Sequence, residues 1–225
     1  MYQSNLLRPL FAALFTACFA SVLCGQTAHV PKAVPIPSLH ARGPVPDPAV
    51  PAAREVEDVR DQLIFHLPNG WNLSTTDGEI STFHLDARSA PRLSHFRIVA
   101  SLAFNPYPQS TFEGALFYVS ATPHSTTSAC AFQTAPKTSS DLPPVRIDEV
   151  NFAQRKEEHG KICTESRDVV YTAIRGESCL RFDLVINNFC GGEVSGAQDL
   201  GSSELQALFD RLQSILNTVH FTTAR

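Results

Sequence analysis

No block of basic residues runs anywhere along this 225-residue chain, whose formal net charge is −4. A protein that tracks a phosphate backbone needs clustered lysine and arginine, so the sequence argues against nucleic-acid binding. Signatures of catalysis and metal capture are missing too. There is no C-x-x-C, no H-E-x-x-H, no G-x-S-x-G and no P-loop, and "GEVSG" at 192–196 has its serine one place off the nucleophile-elbow pattern. No repeat period is visible. The reading therefore names no catalytic residue, no cofactor-binding residue and no metal ligand.

What is present begins with an apolar run. Residues 1–28 carry Arg8 as their only charge, followed by an apolar stretch over 10–24 and then small residues. That stretch is short for a membrane span and has the layout of a secretory signal peptide. Lipoprotein processing at Cys18 or Cys24 is the alternative, although "FTAC" and "SVLC" fit a lipobox poorly. Residues 29–53 hold seven of the sixteen prolines. Proline removes amide donors and favours extended chain, which makes this a semi-rigid spacer. Residues 54–225 are then expected to form one α+β domain, exported to the periplasm or secreted, with an N-terminal membrane tether left open.

Within that domain, period-two alternation marks strands at "QLIFHLP" (62–68), "EISTFHLDA" (79–87), "FRIVASLAF" (96–104) and "GALFYVSAT" (114–122). "RIDEVNFAQRKEE", "CTESRDVVYTAI" and "CLRFDLVINNF" carry the same pattern, and "PNG" at 68–70 closes the first strand. Residues 56–61 read as a charged turn of helix, and 124–144 as a loop with a helical turn around Cys130. Near the end, Leu205, Leu208, Phe209, Leu212, Ile215, Leu216 and Val219 fall on one helical face, with Ser203 and Gln206 as a capping box. A mostly antiparallel sheet of six or seven strands, covered by this amphipathic helix, is the expected architecture.

The strand ending "FHLPNGW", the sheet-forming segments after it and the terminal helix running into "SILNTVHF" resemble the PsbP/Mog1 family of α/β sandwiches. The resemblance spans most of residues 60–222. It implies the sandwich fold and a role as an exported accessory protein; no functional residue of that family maps onto this chain.

Cys130, Cys163, Cys179 and Cys190 are an even number in an exported domain, which reads as two disulfides. Cys179 and Cys190 stand on one strand pattern roughly 36 Å apart when extended, against the 7 Å or so that a disulfide allows between Cα atoms. Each must pair elsewhere. A hairpin turn at Gly176–Glu177 would set Cys163 opposite Cys190 at the far end of a long hairpin and leave Cys179, opposite Ile174, for Cys130. His159 lies four residues before Cys163, in what reads as a polar turn; the spacing argues against zinc.

Other residues invite a functional reading and have a plainer one. His66, His84 and His95 would serve a hydrolase if they met in space, but scattered histidines are more often surface groups. Glu157–Glu158 and Asp148–Glu149 are adjacent in sequence, which on a strand sends the members to opposite faces. Trp71, Phe83, Phe104, Tyr107 and Phe117 would line a ligand groove, or else pack the core, with Trp71 sealing one end. Four glycines in "CGGEVSGAQDLGSS" (190–203) would admit close approach of a partner, or simply link sheet to helix. "NLS" at 72–74 is an N-glycosylation pattern. The expectation is an exported, non-enzymatic binding or accessory module for an unidentified protein or small-molecule partner, the competing one an exported hydrolase built around His66 or His84.

Overall fold

Alternating side chains build most of the chain into strands. The computed structural model describes residues 53–76, 94–131, 133, 139–161, 163–189 and 191–222, all within the unit Leu39–Arg225. In chain order these form β1 (Arg54–Asp58), β2 (Leu63–Leu67), β3 (Trp71–Ser74), β4 (His95–Leu102), β5 (Phe112–Pro123), α1 (Thr127–Ala131) and β6 (Ser139–Ile147). β7 (Val150–Lys161), β8 (Thr164–Arg175), β9 (Ser178–Phe189), α2 (Gly192–Ser195), α3 (Ser202–Leu216) and β10 (His220–Phe221) follow. The segments expected to form the signal, the spacer and a strand at 79–87 lie outside the described residues, as does Cys190.

β3-β4-β5-β9-β8-β7-β6 make a seven-stranded sheet, and β1-β2-β10 a three-stranded one. Every named strand pair is antiparallel. The architecture is the α+β sheet-and-helix arrangement read from the sequence.

The inner face of the large sheet carries Phe117 and Val119 of β5, Phe152 of β7, Tyr171 of β8, and Phe182 and Leu184 of β9. Leu208, Leu212, Ile215 and Leu216 of α3 close over it, joined by Leu63, Phe65 and Leu67 of β2. The helix stripe thus buries the face it was patterned to bury. Phe117 stacks on Phe182 with ring centroids 5.9 Å apart, and Phe65 tilts onto Phe117 at 5.4 Å. Trp71 is 9% exposed within this cluster, and Phe117 is fully buried, so both belong to the core rather than to a groove.

Four local readings are corrected. Of residues 56–61, expected as a turn of helix, 56–58 belong to β1, which pairs with β2 from Arg54↔Leu67 to Asp58↔Leu63, and 59–61 form a turn. "RIDEVNFAQRKEE" is two strands: Asp148, at φ 50°, turns the chain between Ile147 and Val150, so Asp148–Glu149 is a hairpin tip. The N-cap of α3 is Gly201, whose N–H donates to Glu204 Oε2 at 2.8 Å, so the capping pair is Gly201–Glu204 in place of Ser203–Gln206. "EEHGK" belongs to β7, and the turn falls after Lys161, with Cys163 at φ 66°. Cys163 therefore sits on the β7–β8 turn instead of extending β8.

The β8–β9 hairpin has the register expected from its tip. Gly176, at φ 59°, occupies the turn between the facing residues Arg175 and Ser178, and pairing continues without interruption to Thr164↔Phe189. β6 lies at the edge of the large sheet, where the register shifts between Leu142 and Val145 across Pro143 and Pro144. Prolines and a bulge blunt an edge that would otherwise invite another strand. Among the described residues no helix is long and apolar enough to cross a membrane.

Tyr171 joins sheet to helix: its hydroxyl donates to Gln213 Oε1 at 2.8 Å and accepts from Gln154 Nε2 at 3.1 Å. Burial pushes its pKa up from 10.0 to about 12, the Gln154 bond opposing. A phenol harder to ionise in the fold than in the unfolded chain contributes stability below pH 10.0 that is lost as pH rises toward about 12. Ultraviolet titration should show one tyrosinate forming near pH 12, and Tyr171→Phe should remove that step.

Candidate functional site

Both faces of the central strands are buried, and the outer face carries a polar region beside an apolar cluster of Val99, Leu116, Tyr118 and Val185. Alternation along β9 sends Arg181 and Asp183 to that face, and along β8 Ser166 and Asp168. Across β7 and β8, Glu157 stands opposite Asp168 and His159 opposite Ser166. Arg181 is 1% exposed, Asp183 2%, Glu157 1% and Asp168 1%. Few charged groups are buried this deeply without a compensating partner.

Arg181 grips Asp183 through two parallel bonds. Its Nε donates to Asp183 Oδ2 at 2.8 Å, its Nη2 donates to Oδ1, and its Nη1 reaches the carbonyl of Gln133. Burial pushes the Asp183 carboxyl above its ordinary range, the facing guanidinium opposes this, and the Glu157 carboxylate adds to it. Burial works against the charged Arg181 as well, yet the Asp183 carboxylate holds its pKa above the usual arginine value.

Beside this pair lies a carboxylate–imidazole–carboxylate group. His159 Nε2 is 3.1 Å from Glu157 Oε2 and 3.8 Å from Asp168 Oδ2, and Ser166 Oγ donates to Asp168 Oδ1 at 3.0 Å. Glu157, His159 and Asp168 offer one ligand atom each, all within 4.8 Å of one another. Such a set can hold a proton or a metal ion. α1 packs against β8 and β9, and the Cys130–Cys179 disulfide fastens it there, with Cα atoms 5.3 Å apart. Cys163 is disulfide-bonded too.

A second polar region is open. At the end of the large sheet two clefts of about 420 and 510 Å³ flank Phe189. The first is lined by Thr164, Glu165, Arg167, Asn188 and Asp199, the second by Asn105, Gln109, Ser110, Ser195 and Gln198. A backbone ladder holds the walls. Phe189 N–H donates to Thr111 O at 2.9 Å, Thr111 N–H to Gln198 O at 2.8 Å, and Gln198 N–H to Gln109 O at 2.9 Å. Ser110 and Gln198 thereby form a parallel bridge. The glycine-rich segment is tied at Gln198 to the loop before β5, and Gly196, at φ 71°, supplies a left-handed bend close by. Arg167 is bridged to Glu165 at 2.7 Å.

The histidines considered from sequence do not assemble. His66 is on β2, 3.9 Å from Glu55, while His95 is on β4 of the other sheet, facing Ala121. His84 and Phe83 lie outside the described residues. Tyr107 meets Phe112 edge-on at 6.5 Å, and Phe104 sits under Arg211, so neither joins Trp71 in a groove. The sequence reading missed the facing of Glu157 and Asp168. The turn after Lys161 sets it, and with that tip located, counting outward along both strands would have found it.

No protein-family model matches this sequence, and no curated protein does. Solved structures show similarity of fold. A protein from Bacteroides thetaiotaomicron is 11% identical with a TM-score of 0.42 over 76% of this chain, which spans only 49% of that structure. Cyanobacterial PsbP (CyanoP) from Synechocystis is 10% identical with a TM-score of 0.43, over 80% of this chain and 98% of its own. The Ran-binding protein Mog1p of Saccharomyces cerevisiae is 12% identical with a TM-score of 0.43, over 75% of this chain and 95% of its own. The chain is thus similar in fold to PsbP and Mog1.

Proposed function

We propose that this chain is an exported binding or accessory domain, working through the paired clefts around Phe189 and without chemistry of its own. The observation that carries the reading is the backbone ladder from Phe189 through Thr111 and Gln198 to Gln109, which fixes the cleft walls before any partner arrives. Walls fixed in advance lower the ordering cost that binding otherwise incurs. Amide and hydroxyl groups line both clefts, and the first adds the Glu165 and Asp199 carboxylates and the Arg167 guanidinium. That chemistry suits a polar segment of a partner protein. In the same proposal, residues 1–28 direct export, residues 29–53 hold residues 54–225 at a distance, and Cys163 pairs with Cys190.

Photo-crosslinking from the full chain in its own envelope tests it. A benzoylphenylalanine at Gln198, exposed in the second cleft, should give one discrete adduct, and the same group at Lys156 none. Equal labelling from both positions, or none from Gln198, would count against the clefts as the binding surface.

A further inference from the structure

We infer that Glu157, His159 and Asp168 form a binding site for one divalent transition-metal ion of the Zn²⁺ or Mn²⁺ class, on the polar face of the large sheet. The ligand atoms come from adjacent strands in fixed register and lie within 4.8 Å of one another. One imidazole nitrogen and two carboxylates are the donor types these ions take, and three protein ligands leave further positions for water.

Charge points the same way. Two carboxylates directly opposed across an antiparallel pair repel, and burial at 1% exposure strengthens the repulsion. The guanidinium of Arg181 is already committed to Asp183. Its single charge also acts on Glu157 and Asp168, so one guanidinium serves three buried carboxylates, and a dication between Glu157 and Asp168 brings the charge of the group to balance. An independent sign is the Glu157 carboxylate itself: Oε2 meets His159, while Oε1 is buried with no hydrogen-bond partner. A carboxylate oxygen that has left water and found no donor has lone pairs available to a metal. Ser166 orients Asp168 from behind, as outer-shell partners of metal ligands do. His159, whose side chain is 9% exposed, gives the way in.

The rival occupant is a proton, with His159 as an imidazolium between the carboxylates. Calorimetric titration of the chelator-stripped full chain with Zn²⁺, and separately with Mn²⁺, separates the two. The metal reading expects one site for at least one of these ions, a raised melting temperature on loading, and a ligand shell of nitrogen and oxygen without sulfur by X-ray absorption. Glu157→Gln and His159→Gln should weaken binding by more than about 100-fold, and Ser166→Ala by about 10-fold. His124→Gln and His220→Gln, at exposed histidines, should leave it unchanged. The X-ray absorption shell of the unaltered chain stands even if a variant fails to fold. Folded protein that takes up neither ion at about 1 mM, or binding that survives His159→Gln, would overturn the site.

Discussion

Asp183→Ala should lower unfolding stability by about 3–5 kcal/mol, measured by urea denaturation. The loss is large because the substitution leaves the Arg181 guanidinium 1% exposed, without the carboxylate that takes its Nε and Nη2. Arg181→Met should be at least as damaging. It leaves Asp183, Glu157 and Asp168 buried without the Arg181 guanidinium, and raises further the Asp183 pKa that burial already pushes up. A carboxyl whose folded pKa lies above its unfolded value binds protons more readily in the fold, so the Arg181→Met protein should gain stability as pH falls toward the unfolded carboxyl range. The double variant Arg181→Met/Asp183→Leu removes both charges. It should recover most of the loss, since a well-packed apolar pair often matches a buried ion pair. A double variant as unstable as either single one would show that the pair does more than neutralise itself.

Removing the Cys130–Cys179 disulfide should cost about as much. The bridge closes a separation of 49 residues, for which loop-closure entropy gives about 4 kcal/mol. Cys130→Ala/Cys179→Ala should shift the urea midpoint accordingly and loosen α1 from the outer face. The Gln133 carbonyl, which accepts from Arg181, would loosen with it. The same comparison bears on the proposed second bridge. Thr164 faces Phe189 at the last registered pair, so Cys163 and Cys190 are the next residues out on either side. Non-reducing peptide mapping should recover Cys163 with Cys190; Cys163 linked to a cysteine of residues 1–28 would contradict that pairing.

β2, β4, β5, β8 and β9 were legible because alternation needs only local sequence, whereas β1, β3 and the start of β6 at Ser139 were not. The helix was legible because its stripe runs without interruption from Leu205 to Leu216. The β8–β9 register was legible from Gly176, a residue whose conformational freedom marks the tip. The β6–β7 and β7–β8 tips were not, since Asp148 and Cys163 take positive φ without being glycine and nothing local announces it. That single gap hid the polar face. With "RIDEV" read as one strand and "EEHGK" as a turn, Glu157 had no partner strand, and Asp168, on the far side of the true turn, could not be placed opposite it. The two clefts were hidden for another reason. Their walls are joined by backbone bonds between residues 109–111 and 189–198, and backbone pairing leaves no mark on side-chain pattern.

Amide hydrogen exchange of the free protein tests most directly whether the cleft frame is preformed. The account predicts that the amides of Thr111, Phe189 and Gln198 exchange at least about 100-fold more slowly than in unstructured chain, with Gly196, in the lining of the second cleft, exchanging faster. Exchange of all three within about tenfold of the free rate would contradict it, because walls that open so readily are not held in place before a partner binds.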